Sequence, residues 1–172
     1  GTIALTNARV ITEDASARVL ENATIVVQRS RIVAVGTNVA VPAGATVFDL
    51  RGKTVMPGMI DAHAHYSPDG STLNVLEQRH QGLLANLAYG VTTTRDPQTA
   101  TTDVLAYRDL VESGSMIGPR VFATGPGVFA RDDVKSLADA RQVLERYSKY
   151  WDTKTIKQYM VGNRQQRQWV IM

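Results

Sequence analysis

From Val55 to the last residue, short β-branched or apolar runs alternate with stretches of helical period, four times in succession. The first run, Val55-Met-Pro-Gly-Met-Ile-Asp-Ala-His-Ala-His65, ends in histidines. A helix is expected from about Leu73 to Tyr89, with Leu73, Leu76, His80, Leu83, Leu84 and Leu87 on one side and Gly90 as its stop. Val91–Asp96 reads as the second strand, and Asp103–Glu112 as the next helix, ended by Gly114. Pro119–Thr124 is the third strand, after which Gly125-Pro-Gly127 turns the chain. Ser136–Tyr150 is the third helix, with Leu137, Ala140, Val143, Leu144 and Tyr147 as its buried stripe. Thr153–Met160 is the fourth strand, and Asn163 can cap a last helix by accepting an early backbone N–H.

Repeated strand-then-helix units specify a parallel sheet joined by right-handed crossovers. Each unit here spans roughly 30 residues, the size of a βαβ step. A closed barrel of eight units takes about 250 residues, so residues 56–172 amount to half of a (β/α)8 TIM-type barrel. An open doubly wound sheet fits the same alternation. Its Gly-rich dinucleotide turn after the first strand is missing, however, and a His-x-His stands there instead.

Residues 1–55 have a different character. Val26–Arg29 and Ile32–Val35 flank Ser30-Arg31 as a hairpin, Asn7–Thr12 and Thr46–Leu50 add strands, and Pro42-Ala-Gly44 marks a turn. Residues 2–50 therefore read as antiparallel β, part of a small β-sandwich that precedes the α/β segment.

Composition narrows the function classes. With 44% hydrophobic residues in 172, the chain can bury a core of ordinary globular kind. The absence of cysteine excludes disulfides and thiolate metal sites, and it fits cytoplasm and periplasm alike. No apolar run approaches the ~18 residues of a membrane span. The formal charge is only +3, and the late basic residues Lys154, Lys157, Arg164 and Arg167 form no stripe with aromatics. A nucleic-acid partner is not expected. The chain starts at Gly1 and stops at Met172 within a helical pattern, so a piece of a longer protein is expected.

Side chains alternate faces along a strand, so residues 59, 61, 63 and 65 are expected to share one side. Facing a barrel interior, His63 and His65 would form an imidazole pair able to hold a divalent metal. Active sites of parallel barrels lie at the C-terminal ends of the strands. That rule selects His63 and His65 from strand one, Arg95 and Asp96 from strand two, Thr124 from strand three, and Lys157 and Tyr159 from strand four. A lysine near two histidines and a metal should lose solvation and have its pKa lowered. Its neutral amine can then take up carbon dioxide as a carbamate, an anionic oxygen ligand; the alternative is an ion pair with Asp61. His80 falls on a helical leucine stripe and reads as packing or surface.

The succession MPGMIDAHAH, GVTTTRD, GPRVFATG and TIKQY resembles the amidohydrolase superfamily, most closely the branch of prolidase-like and imidazolonepropionase-like hydrolases. The segment DTKTIKQYMVGNRQQRQWVIM is further similar to the subgroup in which this domain follows a Tol-type β-propeller. The resemblance implies that His63 and His65 are strand-one metal ligands. It implies that Lys157, when carboxylated, bridges two metals; by ligand type the one or two divalent ions of the site would be zinc before iron, manganese or nickel. Two further histidines and a general-base aspartate would come from strands beyond residue 172, so no catalytic base is expected within this segment.

The implied activity is metal-dependent hydrolysis of a C–N bond in a small amide, peptide-like or cyclic amide substrate, with Tyr159 and Arg95 as candidate substrate contacts. A second reading is a non-catalytic half-barrel that binds metal or a partner. Either way, an uncovered barrel interior favours a homo-oligomer.

Overall fold

The computed structural model describes residues 1–66, 81–99, 102–128, 132–159 and 162–172. They form a mixed α/β structure of two compact units, Gly1–Pro57 and Gly58–Met172.

In the first unit, β1 (Thr2–Ile11) pairs antiparallel with β2 (Val19–Gln28), and β2 pairs antiparallel with β3 (Arg31–Gly36). The hairpin turn falls at residues 29–30, where Arg29 takes a positive φ of 55°. On the other edge of β1 lie β4 (Thr46–Asp49) and β5 (Thr54–Val55), both parallel to it. The expectation of purely antiparallel pairing is thus corrected. Residues 37–45 return along the sheet without joining it, so β4 starts from the same end as β1. The turn at the close of that return is fixed by the Ala45 amide donating to the Pro42 carbonyl and by Gly44 at a φ of 75°. Ala8, Val10, Ala23 and Ile25 form the unit's small core.

The second unit is built on three parallel strands in the order β6 (Met59–Asp61), β7 (Val91–Asp96) and β8 (Arg120–Ala123). Between them run α1 (Gln81–Ala88) and α2 (Asp103–Glu112). The first part of the expected 73–89 helix, His80 included, lies outside the described residues. Register fixes the two faces of the sheet. Thr94 pairs with Val121 and Asp96 with Ala123, and all four are buried on the helical side with Leu83, Val104, Leu105 and Tyr107. On the other face Ile60, paired with Thr93, is 70% exposed, and Phe122, paired with Arg95, is 54% exposed.

Beyond β8, α3 (Leu137–Glu145) is capped by Ser136, whose hydroxyl accepts the Asp139 amide. Its last turn, Arg146–Tyr150, widens to a π-helix. There Tyr147 donates its hydroxyl to the Pro126 carbonyl and meets Trp151 edge-on. The expected helix over 136–150 is thus present, with its last turn in the π form. The final helix, α4 (Arg164–Ile171), carries the expected Asn163 cap as a full capping box. Asn163 Oδ1 accepts the Gln166 amide at 3.0 Å, and Gln166 returns its side-chain oxygen to the Asn163 amide at 2.8 Å.

The fourth strand is shorter than the sequence suggests. In the described part of 153–160, pairing reduces to one parallel bridge, Val128 to Gln158. The Val128 amide donates to Lys157 O and the Tyr159 amide to Val128 O. Thr153 explains the loss, because its amide donates to the Tyr147 carbonyl and holds the segment at the helix end. Among the described residues no helix is long and apolar enough to cross a membrane.

Candidate functional site

The two histidines meet, though not by strand alternation. The strand β6 ends at Asp61, whose carboxylate accepts the His63 amide at 2.9 Å and turns the backbone out of the ladder. A register shift between Met59 and Ile60 puts Asp61 opposite Thr94, so residues 59, 61, 63 and 65 are not one strand face. Residues past Asp61 stay beside β7 because the Ala64 amide donates to the Arg95 carbonyl at 3.0 Å. The imidazoles of His63 and His65 end with centroids 5.1 Å apart and planes at 84°.

Behind them stands Asp96, fully buried at the end of β7. Its Oδ2 accepts the Tyr66 amide at 3.0 Å, and its Oδ1 accepts the Gln98 amide at 3.0 Å. The same Oδ1 lies 3.2 Å from His65 Nδ1, which is also 2.8 Å from the Gln98 carbonyl oxygen. A carbonyl can only accept, so Nδ1 carries the hydrogen; in the neutral ring this leaves the Nε2 lone pair for a ligand. Burial pushes the Asp96 carboxyl above the usual carboxylate range, against the amides of Tyr66 and Gln98 and the nearby His65, which favour its charged form.

Burial also raises Tyr66, opposed by its hydrogen bond to Thr94. Tyr66 donates its hydroxyl to Thr94 Oγ1 at 2.9 Å and accepts from Asn86 Nδ2 at 2.7 Å. This closes a polar chain under the histidine segment. Thr124, also buried, gives its amide to the Asp96 carbonyl and its hydroxyl to that of Pro97.

Lys157 is half-buried, with its Nζ 5.9 Å from the centre of the Tyr159 ring. Its neighbours define its side of the chain. Ile156 packs with Val128, Val143 and Val170, and Gln158 donates to the Arg167 carbonyl of α4. Alternation across the Gln158 bridge turns Lys157 and Tyr159 away from that helical layer. Arg95 instead lines a cleft of about 760 Å³ at the β8 edge, with Arg108, Arg120, Phe122, Asp152 and Lys154. Among the described residues no group of three or more His, Asp or Glu side chains is arranged to hold a metal ion. Sequence reasoning placed Asp96 at a strand end but did not pair it with His65. The Gln98 carbonyl left no sequence signal, because a backbone acceptor belongs to no residue type.

Comparison with known proteins finds hydrolases similar to this chain in sequence and fold. An imidazolonepropionase of Vibrio cholerae is 27% identical over 164 residues, covering 88% of this chain and 40% of that protein. One from Xanthomonas oryzae is 30% identical over 151 residues, covering 80% of this chain and 38% of that protein. Among solved structures, a prolidase complexed with N-methylphosphonate-L-proline superimposes with a TM-score of 0.61 at 30% identity, over 75% of this chain and 33% of that one. A Xaa-Pro dipeptidase shares the fold over 99% of this chain and 53% of its own, with a TM-score of 0.71 at 18% identity. No family model matches the chain. The chain spans about two-fifths of the length of the curated relatives it matches. These similarities, at 27–30% identity, support a relationship to the amidohydrolase superfamily, in the branch of prolidase-like and imidazolonepropionase-like proteins.

Proposed function

We propose that this chain supplies the first four strand–helix units of a (β/α)8 barrel in a metal-dependent amidohydrolase. The enzyme cleaves a C–N bond in a small amide, peptide-like or cyclic amide substrate. The observation that carries the reading is the imidazole pair, with rings 5.1 Å apart and His65 Nδ1 held by the Gln98 carbonyl. Its chemistry fits a divalent ion: two neutral imidazoles suit zinc, and also iron, manganese or nickel. His63 and His65 would hold the ion, and Lys157, carboxylated by carbon dioxide, would bridge to a second. Such a metal supplies water activation near neutral pH and polarisation of the scissile carbonyl.

The chain's own residues do the positioning. Asp61 turns the backbone so that His63 reaches His65, and the β7 end holds His65 in one tautomer. Tyr159, beside Lys157, and Arg95 are the candidate substrate contacts. The bare face carrying Ile60 and Phe122 supports self-association of this segment.

The test is calorimetric titration of the chelator-stripped chain with zinc, paired with hydrolysis of Xaa-Pro dipeptides and of imidazolone propionate by the full-length enzyme that contains it. Zinc binding should be lost in His63→Ala and His65→Ala while circular dichroism is unchanged. Binding that survives both substitutions, or hydrolysis undiminished in metal-free protein, overturns the reading.

A further inference from the structure

We propose that Asp96 is the positioning residue of the candidate metal site: it fixes Gln98 so that the Gln98 carbonyl locks His65 as the Nδ1–H tautomer. The inference rests on the metal-site reading above and adds the group that decides which histidine nitrogen is presented.

Three observations carry it. First, the Asp96 carboxylate joins the segments that frame His65. Its Oδ2 takes the amide of Tyr66, directly after His65, and its Oδ1 takes the amide of Gln98. Second, the peptide following Gln98 is held on its N–H side. The Thr99 amide donates to the Gly125 carbonyl at 3.2 Å, and Thr99 bridges Pro126 in parallel. In a trans peptide the carbonyl points opposite to the N–H, so the Gln98 oxygen is aimed at His65 by a bond on its far side. Third, two acceptors converge on one nitrogen, Gln98 O at 2.8 Å and Asp96 Oδ1 at 3.2 Å from His65 Nδ1. An imidazole free in water favours the Nε2–H form, which could not ligate through Nε2. The neighbours of His65 reverse that preference before any metal arrives, as outer-shell partners of metal-binding histidines do.

Asp96 is also buried among backbone amides, so its loss could act through folding alone. The ring tautomer separates the two, because a carboxylate that merely supported the fold would leave no mark on it. The decisive experiment is long-range proton–nitrogen NMR of the 15N-labelled, metal-free 172-residue chain, above the pH at which its histidines titrate. His65 should show a bare Nε2 and a protonated Nδ1. Asp96→Asn, which keeps the volume but loses an acceptor oxygen, should shift His65 toward the Nε2–H form and weaken zinc binding roughly 10- to 100-fold.

An Nε2–H tautomer in the unsubstituted chain overturns the proposal, and this measurement needs no variant even if Asp96→Asn fails to fold. A folded Asp96→Asn chain with unchanged tautomer and zinc affinity overturns it too. If the unsubstituted chain shows the expected tautomer but binds no zinc, the metal-site reading fails and this proposal falls with it. A wrong tautomer with zinc still bound removes only the role of Asp96.

Discussion

Gly127 and Lys157 pack backbone against backbone: a β-carbon on Gly127 would lie 3.2 Å from the Lys157 carbonyl oxygen. On its other side the same β-carbon would stand 3.1 Å from Gln98 Cγ. One glycine therefore sits between the residue whose carbonyl orients His65 and the candidate lysine ligand. A side chain at this position would be tighter than most real β-carbon contacts.

Gly127→Ala should push Gln98 and the Lys157 segment apart by a few tenths of an ångström. Overpacking of this kind costs on the order of 1 kcal/mol. Denaturant titration should register that loss, and zinc affinity should fall with it. An alanine variant as stable and as zinc-competent as the parent would show that the contact has room to give.

Gly58, just before β6, lies against Thr92: a β-carbon there would overlap Oγ1 and Cγ2 and stand 2.6 Å from Cβ. Rotating Thr92 cannot relieve a clash that includes its Cβ. Gly58→Ala should therefore destabilise by about 1–3 kcal/mol. Gly58→Ala combined with Thr92→Gly should recover most of the loss in thermal unfolding.

Asn163→Ala removes the side-chain oxygen that accepts the Gln166 amide at 3.0 Å, and the capping box with it. The expected cost is about 1 kcal/mol, confined to α4. Amide exchange should accelerate at residues 164–167 and stay unchanged in β7 and α2.

Lys157→Met keeps the length of the side chain but cannot form a carbamate. If Lys157 bridges two ions, the unsubstituted chain should take up more zinc in bicarbonate buffer than after removal of carbon dioxide. The methionine variant should lose that difference while keeping the site at His63 and His65. Equal zinc uptake by the unsubstituted chain with and without bicarbonate would remove the carbamate from the mechanism.

The elements whose signals are local were legible in the sequence. The β-branched run Val91–Asp96 and the helix Asp103–Glu112 fall on the expected residues, and Asn163 caps the last helix as its chemistry requires. Each depends on neighbours a few positions away: side-chain period, a stop glycine, a short polar cap. The motif around His63 and His65 likewise pointed to the amidohydrolase superfamily.

Tertiary structure decided what depends on partners distant in the chain. Pairing with β7 and the Asp61 turn, rather than strand alternation, brought the two imidazoles together. The Thr153 bond to Tyr147 shortened the fourth strand to one bridge, and the return of residues 37–45 made β4 parallel to β1. The orientation of His65 rests on a carboxylate 31 residues away and on a main-chain carbonyl 33 residues away. Every residue but proline offers the same backbone donor and acceptor, so only the folded register determines which carbonyl faces which side chain.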